Sequence, residues 1–148
     1  MKADIYLAGG FYADNWQEKV KRAFPPARQE YSYINFLDPK EKERSPKNKQ
    51  AQKDAFSSPN AYTAWDLAAI DKSNIVFAYI DKENPAAGVI AEIGYAVGKG
   101  KVVILVIDLD HVYFKDRYFD FLRNMPGVVH FKTLEEGIAY TQAYLQVM

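Results

Sequence analysis

Apolar residues fall in short blocks along this chain, and the blocks switch between two periods. Ile5 to Ala8 is a brief run that Gly9-Gly10 ends, the pattern of a buried strand. Trp16, Val20 and Phe24 then recur at helical spacing within residues 14–24, and Pro25-Pro26 closes that helix. Tyr31 to Leu37 alternates aromatic and apolar positions and predicts a second strand. Ser57-Ser58-Pro59 supplies a helix start, and Tyr62, Trp65, Ala69 and Ile70 follow at spacings that suit a helix through Lys72. Two nearly pure apolar runs, residues 74–80 and 101–107, have the composition of strands buried on both faces. Between them Gly88 to Gly98 reads as a helix that Lys99-Gly100 ends. The rest predicts a helix over 114–123, a strand over 128–131, and a last helix from Thr133 to near Leu145 with Glu136 in the capping-box position.

Strands alternating with helices predict an α/β fold: a doubly wound five-stranded parallel sheet flanked by helices, flavodoxin-like or Rossmann-like, with residues 1–148 as one domain. Two buried strands joined by a helix make a right-handed parallel crossover. In such sheets ligands sit beyond the carboxyl ends of the strands, where strand order reverses. That rule draws the loops after Ala8, Ile80 and Ile107 around one pocket, which Phe11, Tyr12 and Glu92 then face.

Composition narrows the partners. A chain of 148 residues, 49% hydrophobic and 26% charged, suits one compact domain. Its 19 basic and 19 acidic residues cancel, so no global field favours a nucleic acid polymer or an anionic membrane. The absence of cysteine excludes thiol catalysis, disulfide staples and thiolate metal sites. Met1 to Ala8 is too short for the core of a signal peptide, and no apolar run approaches the roughly 20 residues that span a bilayer, so the expectation is a soluble cytoplasmic protein. Aromatic residues reach 15%, which hints at stacking on a planar ligand. Residues 39–54 are dense in lysine and read as a solvated loop, or as a lid or anion contact over the pocket.

The segment Gly88-Val89-Ile90-Ala91-Glu92-Ile93-Gly94-Tyr95-Ala96 leaves one carboxylate among small and apolar residues where a loop becomes a helix. A buried carboxylate is costly, so Glu92 needs solvent, a partner or a task at a cleft. Gly88 lets backbone approach a ligand, and a helix N-terminal turn favours an ionised acid, as a nucleophile requires. Other α/β chemistries fail on the residues. Gly9-Gly10-Phe11-Tyr12 lacks the third glycine of a dinucleotide fingerprint, and no P-loop lysine followed by a hydroxyl residue is present. Asp4, at the beginning of the first strand, is the only acid near a receiver-type position, and His111 and His130 read as loop or strand-surface residues away from the pocket.

Three segments, Ile5-Tyr6-Leu7-Ala8-Gly9-Gly10-Phe11-Tyr12, Trp65-Asp66-Leu67 with the following Asp71, and Gly88 through Ala96, resemble the signature segments of the nucleoside 2-deoxyribosyltransferases, from the first strand to about Ile107. The resemblance implies that Glu92 is the nucleophile attacking the anomeric carbon of a 2′-deoxynucleoside, that Asp66 moves the proton of the departing or arriving base, and that Tyr6 holds the Glu92 carboxylate by a hydrogen bond. Gly9, Phe11, Tyr12 and Gly88 then line the substrate, with the two rings covering the base. It implies small deoxynucleosides and free nucleobases as partners, no metal or organic cofactor, and a homo-oligomer in which neighbouring subunits complete the site. Two positions depart from the family. Where members commonly carry an aspartate six residues before the nucleophile this chain has Ala86, with Asp81, Glu83 and Asn84 in the same loop. The segment matching the neighbouring-subunit contribution is Asp116-Arg117-Tyr118-Phe119, where Arg117 would meet the 5′ end of the sugar or a 5′-phosphate.

Plainer readings stand beside these. Glu92 also suits a partner of its helix N-terminus, Tyr6 a core tyrosine, and Asp66 a helix-surface acid. Two other functions also stay open: a 2′-deoxynucleoside 5′-monophosphate N-glycosidase, and a non-catalytic nucleotide-sensing module.

Overall fold

The structure, a computed structural model, describes residues 2–9, 15–37, 59–81, 87–108 and 119–147. Strands β1 (Ala3–Gly9), β2 (Ile34–Leu37), β3 (Ile75–Asp81), β4 (Val102–Asp108) and β5 (Val128–Phe131) form one sheet, parallel throughout, in the order β2-β1-β3-β4-β5. Among the described residues the α-helices are α1 (Trp16–Arg22), α2 (Pro59–Lys72), α3 (Ala87–Gly98), the single turn α4 (Asp120–Arg123) and α5 (Leu134–Val147). The expected doubly wound five-stranded sheet is present.

Side chains alternate across each strand, which divides the core into two layers. On one face Tyr6, Ala8, Val76, Ala78, Val103 and Leu105 pack under α2 and α3 through Ile70, Val89 and Ile93. On the other, Ile5, Leu7, Phe77, Ile104 and Val106 pack under α1 and α5 through Trp16, Val20, Leu134 and Leu145. The central strands β3 and β4 are covered on both sides, so an apolar residue is required at nearly every position, and their sequences read as unbroken apolar runs.

Polar contacts fix the register at the amino edge. Asp4 N–H donates to Asn74 Oδ1 at 2.8 Å, Asn74 N–H donates to the Asp4 carbonyl at 2.8 Å, and Asn35 Nδ2 donates to Asp4 Oδ1 at 2.9 Å. Asp4 is thereby committed to joining β1, β2 and β3. Helix α3 ends in a Schellman motif: Gly100 N–H reaches the Val97 carbonyl and Lys101 N–H the Ala96 carbonyl, each at 3.0 Å. That ending needs a residue at positive φ, and Gly100 supplies it at 74°. At the start of α5, Thr133 Oγ1 accepts from Glu136 N–H at 3.2 Å and donates to Glu136 Oε1 at 3.1 Å, so the expected cap forms.

One element differs from expectation. The strand predicted from Tyr31 begins only at Ile34, and Gln29–Tyr31 is a 3-10 turn. The Tyr31 ring packs edge-on against Phe24 at 5.2 Å, so its aromatic character serves the end of α1 rather than a strand face. Of the helix predicted over 114–123, Asp120–Arg123 is helical and residues 114–118 lie outside the described residues, as do the lysine-rich residues 39–54. Among the described residues no helix is long and apolar enough to cross a membrane.

Candidate active site

From β1 the chain passes to β2 on one side and then to β3 on the other, so strand order reverses between β1 and β3. The ligand crevice of such a sheet opens beyond the carboxyl ends of these two strands. Those ends are Gly9 and Asp81, with Gly9 opposite Tyr79 in the register.

Tyr6, Asp66 and Glu92 lie on one side of this sheet. Tyr6 is 1% exposed on the face of β1 that packs against α2 and α3. Asp66 precedes buried Ile70 by one helical turn, shares its stripe of α2, and is 5% exposed. Glu92 is half-buried at the edge of the α3 stripe formed by Val89, Ile93 and Ala96. Depth agrees as well as side. Helices α2 and α3 both start at the carboxyl edge, and at about 1.5 Å per residue Asp66 and Glu92 stand about 10 and 8 Å from those starts. Tyr6 stands three residues before the end of β1, about 10 Å at the strand rise.

Two sequence readings change here. Glu92 was expected in the N-terminal turn of its helix, but α3 begins at Ala87 and Glu92 falls in the second turn. The field of a helix end is strongest in its first turn, so it acts on this carboxylate less than a place in that turn would allow. Asp66, for its part, is not a helix-surface acid. Removing a carboxylate from water to this degree costs several kcal/mol unless other groups compensate, which makes its retention informative.

The glycines assigned to the site have different causes. A Cβ on Gly9 would overlap Trp16, lying 2.7 Å from Cε2 of the indole. Trp16 is itself stacked on Phe77 at 6.1 Å and tilted against Tyr79 at 5.3 Å. The lack of a side chain at 9 is therefore demanded from behind, by the α1 layer, whatever approaches from the crevice. A Cβ on Gly88 would meet nothing within 4 Å, and the residue faces open space at the start of α3. Phe11, Tyr12, Ala86, Glu83, Asn84, His111 and Arg117 lie outside the described residues. His130 sits on edge strand β5 opposite Leu105, separated from β1 by β4 and β3, in keeping with its exclusion from the site.

Sequence reasoning passed over Tyr79. Its hydroxyl donates to Asp108 Oδ2 at 3.4 Å, on the α1 and α5 side of the sheet and so away from the Tyr6 side. Burial first, and then the charges of Asp108, Asp81 and Glu135 together with the Asp108 hydrogen bond, push the phenol above its ordinary value of about 10. The unfolded chain loses this proton near pH 10, whereas the folded protein still holds it. Above about pH 10 the native state therefore binds more protons, and stability falls as pH rises. Tyr79→Phe is expected to make that fall shallower in urea titrations between about pH 10 and pH 11.5. Slopes equal to those of the wild type would show that Tyr79 does not contribute. The only prior sign of this cluster is that Asp81 and Asp108 end two neighbouring apolar runs.

Comparisons with known proteins bear on the family and the fold of this chain. Residues 2–109 match the family model described as nucleoside 2-deoxyribosyltransferase like. No curated protein matches the chain in sequence. Among solved structures, a 2-deoxyribosyltransferase of Bacillus psychrosaccharolyticus is 22% identical, with a TM-score of 0.60 and 97% and 96% of the two chains covered. A CMP N-glycosidase of Clostridium botulinum is 21% identical, with a TM-score of 0.55 and 95% of this chain and 98% of that one covered. A conserved protein from Enterococcus faecalis is 19% identical, with a TM-score of 0.61 and coverage of 99% and 96%. These likenesses establish the fold, and the family match spans well over half the chain: the protein belongs to the nucleoside 2-deoxyribosyltransferase-like family.

Proposed function

We propose that this protein is a nucleoside 2-deoxyribosyltransferase, acting in the cytoplasm to move 2-deoxyribose between nucleobases with retention of configuration. The observation that carries this reading is the common side and depth of Glu92, Asp66 and Tyr6 beneath the carboxyl ends of β1 and β3, in a chain of this family. A Glu92 carboxylate oxygen attacks C1′, the glycosidic bond breaks, and an ester forms while Asp66 gives a proton to the ring nitrogen of the leaving base. The second base then attacks C1′, Asp66 takes its proton, and the ester bond returns its electrons to Glu92. Two inversions preserve the β configuration. The Tyr6 hydroxyl holds the Glu92 rotamer, Gly9, Phe11, Tyr12 and Gly88 shape the base and sugar subsites, and Arg117 meets the 5′ end. Because C1′ lacks a neighbouring 2′-hydroxyl, less charge is withdrawn from the oxocarbenium-like transition state. Keeping water from the ester favours transfer over hydrolysis.

In a second reading water takes the ester and the substrate is a 2′-deoxynucleoside 5′-monophosphate; the likeness to a CMP N-glycosidase supports its release of a base from a nucleotide, and not the deoxy sugar. One assay separates the two. The purified protein is incubated with 2′-deoxyinosine and free adenine or cytosine, and in parallel with deoxynucleoside monophosphates, and products are resolved by chromatography. New deoxynucleoside is the expected product. Free base and deoxyribose 5-phosphate, without exchange, would transfer the assignment to the glycosidase. Thermal stabilisation by nucleotides with no turnover would leave a sensing module.

The reading also carries an assembly of copies of the chain, built from dimers. Trp65 on α2 is 45% exposed and Phe121 on α4 is 79% exposed, on helices that cover the Glu92 side of the sheet. Light scattering is expected to give an even multiple of the 16.9 kDa chain mass. A monomer at assay concentration would contradict the assembly.

A further inference from the structure

We propose that Tyr95 and Asp71 are positioning residues for the reaction, because their hydrogen bond ties together the helices that carry Glu92 and Asp66; the inference rests on the function proposed above. Tyr95 Oη donates to Asp71 Oδ1 at 2.8 Å. Tyr95 lies three residues beyond Glu92 on α3, and Asp71 five beyond Asp66 on α2. Two lysines reinforce the tie. Lys99 Nζ stands 3.7 Å from the same Asp71 oxygen and 5.4 Å from the centroid of the Tyr95 ring, and Lys101 Nζ donates to the Asp71 carbonyl at 3.0 Å.

The buried apolar packing of these helices is made by Ile70 on α2 and Val89, Ile93 and Ala96 on α3. Apolar contact has no preferred direction, and packed helices slide on one another at small cost. A hydrogen bond has a length and an angle, so it selects one position along that slide. Glu92 and Asp66 must meet one substrate from two helices, and a shift of 1 Å in such an arrangement can cost about 10²-fold in rate. The Tyr95 bond is solvent-exposed, with Asp71 48% and Lys99 51% exposed, so it adds little to stability. Its signature is a loss of rate without a loss of fold.

Tyr95→Phe keeps the ring and removes the donor. In the base-exchange assay kcat is expected to fall about five- to tenfold, with KM changed by less than about twofold and Tm held within about one degree. Asp71→Ala should fall by a similar factor, and the double variant no further, as for two ends of one interaction. Asp71→Asn keeps an oxygen that accepts from the phenol and should retain most of the wild-type kcat. Unchanged kcat in Tyr95→Phe, or loss in Asp71→Asn equal to that in Asp71→Ala, overturns the positioning role while the functional reading stands. A wild-type protein that performs neither exchange nor base release overturns both.

Discussion

Glu92→Ala is expected to lower base exchange by at least about 10³-fold while leaving Tm nearly unchanged. The size follows from the chemistry. Without the carboxylate no ester can form, and the reaction is left with direct displacement of one base by the other, without the two-step route that the ester opens. Glu92→Gln should fail almost as completely, because an amide oxygen of the same shape is a far poorer nucleophile. The fold should tolerate either change: Glu92 sits half-buried at the margin of the α3 stripe, while Val89, Ile93 and Ala96 make the packing. Alanine is moreover the best helix former. Chromatographic initial rates with a melting curve on each variant check this. More than a few per cent of residual exchange in Glu92→Ala would remove Glu92 from the nucleophile role.

Gly137→Ala is expected to destabilise the protein by about 2 kcal/mol, which lowers Tm by roughly 4–8 °C in a chain of this size. At most helix positions the sign is the reverse, since glycine costs about 1 kcal/mol relative to alanine. Here a Cβ would stand 2.5 Å from Val106 Cγ2 and 3.2 Å from Phe77 Cζ. Both neighbours are fully buried on the central strands and have nowhere to retreat. The added methyl must therefore lift α5 from the sheet or force Phe77 off its rotamer. Thr141 Oγ1, which donates to the Gly137 carbonyl at 2.8 Å, holds the same turn and opposes relaxation. Differential scanning calorimetry on the two proteins checks this. An unchanged or raised Tm would show that α5 can shift at little cost.

How far the sequence foretold these features depends on how local their causes are. Strands β3 and β4 were legible because burial on both faces leaves nearly every position apolar. The Glu92 segment was legible because a charge inside an apolar block contradicts its surroundings. Asp66 was placed through its neighbours in the signature Trp65-Asp66-Leu67, yet its burial came only with the sheet beneath it. Tyr31 misled because an aromatic ring packs equally well on a helix end as on a strand face. The Tyr95 to Asp71 bond spans 24 residues of sequence and joins exposed polar groups, for which no periodic pattern exists. Gly137 gave no sign either: its requirement is set by Val106 and Phe77, on strands far away in the chain.

The most direct test of the central claim is the mass of the intact protein, acid-quenched during turnover of 2′-deoxyinosine without an acceptor base. A population heavier by one deoxyribosyl unit, mapped by peptide fragmentation to Glu92 and lost when adenine is added before the quench, is the predicted result. Turnover with no adduct, or an adduct on any other residue, would contradict the mechanism.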